Sequence, residues 1–145
     1  MDKDALIRFF EDGIAFNRHL GMKVVELGME RRRIFIPFKP ELVGDPFRPA
    51  LHGGVLSTLA DTAGGLAVFA RVGMTTARVS TVDLRVDYYS PAGMLDTYAV
   101  AEVVRLGNRV GVARINVYQD DEHKPIAEGK GVYNIRDITP KAAGN

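Results

Sequence analysis

The feature that most constrains the fold of this chain is an apolar stretch at its centre, residues 53–70. The stretch is rich in Ala and Leu and is too long for a strand, so it predicts a central helix that Gly73 ends. After residue 75 the chain has strand-like patterns without intervening helices, which disfavours a doubly wound parallel sheet. The order therefore predicts an α+β fold in which one long helix packs against a curved antiparallel sheet.

The other elements follow from hydrophobic spacing and from the positions of glycine and proline. Gly21 marks the end of an N-terminal helical segment, and residues 37–51 carry enough proline to form an ordered loop. The three arginines at 31–33 lie at or beside a hairpin turn, where we expect them to be solvated. The predicted elements are a helix at 4–12 that continues or restarts through 14–20, and strands at 22–28, 33–38, 78–89, 95–106, 109–118 and 125–135.

Length and composition favour one globular domain. The chain has 145 residues, 46% of them apolar, and contains no repeat or linker, so a single domain over 1–145 is expected. Within it, residues 1–20 form the helical segment and 137–145 a frayed tail. The 19 basic residues nearly balance the 18 acidic ones, and a net charge of +1 argues against nucleic-acid binding.

Several kinds of catalytic centre are excluded by the residues available. The chain has no cysteine, which rules out disulfides, thiolate metal sites and a cysteine nucleophile. None of the three serines lies in a GxSxG motif, and the three histidines lack metal-ligand spacing. We therefore expect no metal and no separate cofactor, with chemistry that relies on carboxylates, backbone amides and at most one histidine.

The N-terminus and the apolar stretch give an expectation about location. The first residues, MDKDALIRFF, carry acids where a signal peptide has a basic start. The apolar stretch is at the short limit for crossing a bilayer and contains Asp61 and two adjacent glycines. We expect a soluble cytoplasmic protein that does not bind a membrane.

Asp61 is the most unusual residue of the apolar stretch, because no other ionisable residue lies between His52 and Arg71. A carboxylate in a core helix is costly unless it is satisfied, and each following glycine costs about 1 kcal/mol relative to Ala. On a helix its neighbours form a small, hydroxylated face, whereas larger residues point elsewhere and suit packing on the sheet. The face comprises Ser57, Thr58, Gly64, Gly65 and Val68, and the larger residues are Val55, Leu59, Leu66 and Phe69.

Two interpretations of this pattern stay open. In one, Asp61 makes a buried hydrogen bond and the glycines only allow close helix packing. In the other, the shared face is a shallow reactive groove with one carboxylate at its centre. The second interpretation also explains why the unusual residues fall on the same side of the helix.

The motif His52-Gly53-Gly54 lies where the loop becomes the helix. Backbone N–H groups are unpaired at a helix N-terminus and the helix dipole is positive there, so a substrate oxygen could be polarised. Glycine allows that oxygen to approach closely, as in an oxyanion-type site. The motif alone is a weak signal, since a single histidine at such a place is more often a loop residue.

A distance argument links the two features. Gly53 and Asp61 are eight residues apart, which is about 12 Å along a helix. A base has to lie near the group that the electrophilic donors hold. If both residues act on one carbonyl, they must come from two antiparallel copies of the helix, so a functional site requires at least a homodimer.

The segment HGGVLSTLADTAGG at 52–65, with Gly44-Asp45-Pro46 before it and STVDLRVDYYSPA at 80–92 after it, resembles the PaaI-type hotdog-fold acyl-CoA thioesterases. The resemblance covers roughly residues 14–135. It implies a curved antiparallel sheet wrapped round one long helix. It also implies homodimers with a continuous sheet, which often pair further into homotetramers.

The resemblance also implies roles for individual residues. Asp61 would act as base or nucleophile, and Gly53 would offer its amide to the thioester carbonyl. His52 would help to shape the site, and Thr81 would assist the water or the carboxylate. The residues expected to bind substrate are Gly54, Asp45, Ser57 and Gly65.

Asp45 and Pro46 depart from the family pattern, in which many members carry an Asn that donates to the thioester carbonyl. An ionised Asp45 accepts hydrogen bonds but cannot donate them. Either Asp45 is protonated or turned away, or Gly53 works with less help.

The implied reaction is hydrolysis of an acyl-CoA to a carboxylic acid and free CoA. One alternative is a hotdog enoyl-CoA hydratase, although these pair an Asp with a nearby His and no histidine lies between His52 and His123. The other is a non-catalytic acyl-CoA-binding domain, which the Asp45 departure favours. The cations available for CoA phosphates are Arg48, Arg78, Arg105, Arg109 and Lys130, each of which also suits a solvated surface position.

Overall fold

The computed structural model describes residues 2–73 and 77–138. Its helices are α1 (Lys3–Arg8), a π-helical turn (Phe9–Gly13), α2 (Ala15–Leu20), a 3-10 turn (Pro40–Leu42) and α3 (Gly53–Val72). Its strands are β1 (Lys23–Leu27), β2 (Arg31–Ile36), β3 (Val43–Asp45), β4 (Ala50–Leu51), β5 (Ala77–Tyr88), β6 (Thr97–Leu106), β7 (Val110–Tyr118) and β8 (Ala127–Asp137).

Six strands form one antiparallel sheet in the order β1-β2-β6-β7-β8-β5, and β3 pairs with β4 in a separate ribbon. Register shifts interrupt the β1–β2, β5–β8 and β6–β7 ladders. Such bulges increase the local twist and bend of a sheet. The predicted α+β architecture, a curved antiparallel sheet with one long helix and a short N-terminal helical segment, is confirmed.

Helix α3 packs on the inner face of this sheet, against β2, β5, β6, β7 and β8. Leu59 and Leu66 are fully buried there. The sheet presents small side chains to the helix, such as Ala101 and Ala113, which let the helix come close. Gly73 ends the helix as predicted, with a left-handed φ of 66° that glycine adopts without strain.

Helix α3 is also the one helix in the described residues that is long and apolar enough to cross a membrane. An 18-residue stretch of this helix has a mean hydropathy of 1.3, and half of that stretch is buried inside the molecule. That burial is what the core helix of a sheet-and-helix fold requires.

The N-terminal segment is helical as predicted, but a π-helical turn separates α1 from α2. Gly21 ends α2 with a φ of 68°. Asn17 is buried, and its Nδ2 donates to the Phe10 carbonyl oxygen over 2.8 Å. This bond holds the π-helical turn against α2.

The expectation that the arginines at 31–33 are solvated at a hairpin tip is wrong. They begin strand β2, whose side chains alternate so that Arg32 faces inward with Ile34 and is only 4% exposed. No described residue accepts a hydrogen bond from its Nε or Nη1. Burial, and then repulsion from Arg71, lowers the pKa of Arg32.

The other two arginines are held by acidic residues. Arg31 Nη2 and Arg33 Nη2 lie 2.6 Å and 3.0 Å from Glu122 Oε2. The hydrogen bond from Arg31 lowers the pKa of Glu122. The sequence could not show this, because Glu122 lies about 90 residues away along the chain.

Two further boundaries differ from the prediction. The segment at 37–51 is not all loop, because it contains the 3-10 turn and the β3–β4 ribbon. Asp137 belongs to β8 and not to a tail, and residues 139–145 of that expected tail lie outside the described residues.

Candidate active site

The start of α3 leaves one backbone amide free. The Gly54 N–H donates to His52 Nδ1 over 2.8 Å, and the Val55 N–H donates to the His52 carbonyl oxygen over 2.9 Å. Within the described residues, the Gly53 N–H has no such partner. His52 therefore caps the helix, and since its Nδ1 accepts, a neutral ring carries its proton on Nε2.

Gly44 allows this arrangement of the loop. A Cβ at Gly44 would lie 2.6 Å from His52 Cα, closer than real Cβ contacts. The His52 N–H also donates to the Leu42 carbonyl oxygen over 2.8 Å. The loop before α3 thus positions His52 through backbone contacts that only a glycine permits.

Tyr88 lies beside the free amide, and sequence reasoning did not assign it a role. Its hydroxyl lies 3.2 Å from the Gly53 carbonyl oxygen and 3.0 Å from Ser57 Oγ. Ser57 Oγ in turn donates to the Gly53 carbonyl oxygen over 3.0 Å. Ser57 is therefore engaged at the helix N-terminus, although it also lines the cavity that contains Asp61.

Asp61 is half-buried and receives a hydrogen bond from the next strand. Thr81 Oγ1 donates to Asp61 Oδ1 over 2.7 Å. Thr81 stands at the register shift in the β5–β8 ladder, where Val82 has no partner on β8. The structure thus brings together two residues that the sequence assigned to one site.

Tyr133 also contacts Asp61, and only its inward position on β8 could have indicated this. Its hydroxyl donates to the Asp61 backbone carbonyl oxygen over 3.0 Å, and its side chain is buried. Burial, and secondly the negative charge of Asp61, raises the pKa of Tyr133. The hydroxyl therefore stays protonated and remains a donor near neutral pH.

The two glycines after Asp61 have different surroundings. A Cβ at Gly64 would overlap the Tyr133 hydroxyl, and a Cβ at Gly131 would overlap the same ring. At Gly65 a Cβ would sit at an ordinary 3.6 Å from Tyr133. The expectation that both glycines form the groove is therefore wrong for Gly64, which faces the sheet, while Gly65 lines the cavity.

A cavity of about 880 Å³ lies between α3, the N-terminal helical segment and strands β5 and β8. Its polar lining includes Thr58, Asp61 and Thr81, and its apolar lining includes Phe9 and Phe69. The expected packing of Phe69 on the sheet is wrong, because its ring stacks on Phe9 at 5.9 Å and 24°. The volume is within the usual range of small-molecule sites.

Asp45 is engaged in a turn outside this cavity. Its Oδ1 accepts from the Phe47 N–H over 2.9 Å and from the Arg48 N–H over 3.1 Å. These two bonds, led by the one from Arg48, lower the pKa of Asp45. Of the alternatives raised by the sequence, a protonated Asp45 is therefore disfavoured.

Two other expectations concern charges near the site. Of the arginines that could bind phosphates, Arg78 lines the cavity, together with Arg136 beside it on β8. In the ranges 2–73 and 77–138 no group of three or more His, Asp or Glu side chains could hold a metal ion.

The chain is similar to known proteins in sequence and in fold. Residues 49–126 match the family model of the Thioesterase superfamily. A candidate esterase of Halobacterium salinarum is 38% identical over 141 residues, which cover 92% of this chain and 93% of that protein. The medium/long-chain acyl-CoA thioesterase YigI of Escherichia coli is 32% identical over 135 residues, which cover 83% and 84%.

A crystal structure of a Shewanella oneidensis protein related to the thioesterase superfamily superposes with a TM-score of 0.81. It is 29% identical to this chain and covers 94% of both chains. These matches confirm the family resemblance and the fold that the sequence predicted.

Proposed function

The chain belongs to the thioesterase superfamily and is a thioester hydrolase, and from this premise we propose that it hydrolyses acyl-CoA to a carboxylic acid and free CoA. The observation that carries the proposal is the half-buried Asp61 carboxylate, which accepts from Thr81 over 2.7 Å inside a largely apolar cavity. The name of the Escherichia coli relative supports the same substrate class.

Asp61 is proposed as the group that starts the reaction, by either of two routes. As a base it takes a proton from water while the water oxygen attacks the thioester carbon. As a nucleophile its own oxygen attacks, and water then hydrolyses the resulting anhydride. In both routes the C–S bond breaks and the CoA sulfur receives a proton. The Thr81 hydroxyl orients Oδ1 and leaves Oδ2 to act.

The Gly53 N–H is proposed to polarise the thioester carbonyl from a second subunit. Gly53 and Asp61 lie on one unbroken helix, about 12 Å apart along its axis, so one copy cannot bring both to the same carbonyl. His52 supports this role, since it takes the competing Gly54 amide. Two antiparallel α3 helices would place two such sites at the interface of a homodimer.

Strand β5 supports the homodimer. It has twelve residues, lies at one edge of the sheet and leaves Val82 64% exposed. A long edge strand exposes unpaired backbone N–H and carbonyl groups to association. Pairing with β5 of a second copy would cover this edge and continue the sheet, and pairs of dimers would form the homotetramer that the family resemblance implies.

The remaining expectations complete the proposal. Surface arginines and lysines are proposed to contact the CoA phosphates, the groove at Ser57 would take the thioester and the pantetheine arm, and Gly65 would border the acyl group. The reaction uses water and needs no cofactor other than the CoA of its substrate. We place the enzyme in the cytoplasm. No particular observation favours the hydratase, and only the Asp45 departure favours the non-catalytic alternative.

The test is replacement of the carboxylate by its isosteric amide. Asp61→Asn cannot accept a proton or form the anhydride, so acyl-CoA turnover should fall by about 10² to 10⁴. The matched control is Asp120→Asn, an exposed residue in the β7–β8 loop, which should keep wild-type turnover. Wild-type rates in Asp61→Asn, with free CoA followed by a thiol reagent, would refute the proposal.

A further inference from the structure

The apolar part of the cavity continues from the carboxylate along one face of α3. Asp61, Gly65 and Phe69 follow at intervals of four residues, and all three line the cavity. Residues at this spacing lie above one another on a helix. Because Gly65 has no side chain, an open path runs from Asp61 to the Phe69 ring.

Aromatic rings line the far end of this path. Phe69 stacks on Phe9, and Phe10 meets Phe69 edge-on with ring centres 5.9 Å apart. Phe10 is buried, and its backbone carbonyl is bonded to the buried Asn17 side chain. Phe10 therefore contacts both other rings, and the buried hydrogen bond from Asn17 fixes it within the N-terminal helical segment.

The chemistry of the lining changes along the path. Charged side chains of the cavity are confined to Asp61, Arg78 and Arg136 among the described lining residues. Around the aromatic end, Ile14 and the three phenyl rings supply hydrocarbon, and the buried Asn17 lies beside them. Arg78 and its β8 partner Arg136 lie on the strand side of the cavity. An aliphatic chain fits against the ring side of this lining.

The length of the path is set by helix geometry. Asp61 and Phe69 are eight residues apart, or about 12 Å of rise. An extended hydrocarbon chain with bonds of about 1.5 Å and angles near 111° advances about 1.25 Å per carbon. The path therefore takes roughly eight to ten carbons.

We propose that the rings of Phe69, Phe9 and Phe10 are the specificity-determining end wall of an acyl pocket, which limits the substrate to linear chains of roughly eight to ten carbons. The inference rests on the proposed acyl-CoA hydrolysis and adds its substrate class. The Phe69 ring blocks the end of the acyl chain, and Gly65 leaves room for the acyl chain to extend along the helix.

Two substitutions should move the chain-length profile in opposite directions. Phe69→Ala removes the stop, so kcat/KM should rise about tenfold or more for chains two carbons beyond the wild-type limit. Gly65→Leu fills the path, and its Cβ meets only ordinary contacts at 3.6 Å, so the optimum should move to shorter chains. Opposite shifts would not result from a general loss of stability.

The measurement is kcat/KM of the purified full chain over linear acyl-CoAs of roughly four to sixteen carbons. The matched control is Phe35→Ala, a half-buried ring on the outer face of the sheet that stacks on Tyr98 at 5.3 Å. It should leave the profile unchanged.

The outcomes separate the two proposals. A wild-type enzyme that hydrolyses no acyl-CoA refutes the proposed function, and the pocket inference falls with it. A wild-type enzyme that is active, with Gly65→Leu and any folded Phe69→Ala retaining its profile, refutes the pocket inference alone. If Phe69→Ala does not fold, Gly65→Leu decides the question by itself.

Discussion

At the scale of single residues, the free amide of Gly53 is the most informative detail of the site. The family resemblance gives Gly53 the polarising amide and Gly54 a part in substrate binding, and in the structure the His52 ring accepts from Gly54 and leaves Gly53 available. A capping side chain thus selects which amide can serve a substrate. The proposed donor to the thioester carbonyl is therefore the single N–H group of Gly53, which one substitution can remove.

Gly53→Pro removes that N–H at the first helical position, where proline is well tolerated. His52 has φ −59° and ψ 134°, which suits a residue before proline. Acyl-CoA turnover should fall about 10² to 10³, the usual loss for one oxyanion donor. Assays should be paired with thermal unfolding to verify the fold.

Gly53→Ala is the matched control, because it keeps the N–H and its Cβ meets Tyr88 at an ordinary 3.5 Å. It should lose little activity. If Gly53→Pro and Gly53→Ala turn over equally fast, the amide has no part in the reaction.

At the scale of elements, the contact between α3 and β8 depends on the space that two glycines leave for the Tyr133 ring. Gly64 and Gly131 lie on either side of Tyr133, which reaches the Asp61 carbonyl oxygen through this space. The glycines cost helix and strand stability locally, but they admit a buried hydroxyl close to Asp61, the proposed reactive residue. This packing fixes the helix turn that carries Asp61.

Alanine at positions 64 and 65 should therefore have opposite effects on stability. Gly64→Ala overpacks Tyr133 at about 1–3 kcal/mol, against a gain of about 1 kcal/mol in helix propensity, so it should destabilise. Gly65→Ala meets no close contact and should stabilise by up to about 1 kcal/mol. Denaturant unfolding of both variants measures the difference in stability. Equal midpoints would contradict the close packing of Tyr133 against Gly64.

At the scale of the whole molecule, the number of associated copies decides whether the proposed site is complete. The edge strand β5 and the separation of Gly53 from Asp61 along α3 both favour association. If the site is shared, each subunit contributes Asp61 to one site and Gly53 to the other. A stable monomer with full turnover would contradict this arrangement.

Mixing two inactive variants tests the shared site directly. In a heterodimer of Asp61→Asn and Gly53→Pro, one site combines both intact groups and the other combines both defects. Random exchange should restore roughly a quarter of wild-type turnover, because half of the dimers are mixed and each has one good site. Activity that stays at the level of the separate variants would mean that each site lies within one subunit.

The sequence by itself predicted the secondary structure order, the central helix and the choice of Asp61 and of the amides after His52. These follow from local signals: hydrophobic period, glycine and proline positions, and a carboxylate isolated in an apolar stretch. Such signals act between residues that are near in the chain. The family motifs added the expected reaction and the roles of Gly53 and Thr81.

Only the tertiary structure decided what distant residues do to one another. It placed Gly64 against Tyr133, buried Arg32 on the inner face of β2, and stacked Phe9 on Phe69 in the cavity lining. Each of these contacts links segments far apart in sequence, and each depends on how the helix is rotated and seated on the sheet. Packing sets the rotation of the helix on the sheet, and the hydrophobic pattern of the sequence does not specify it.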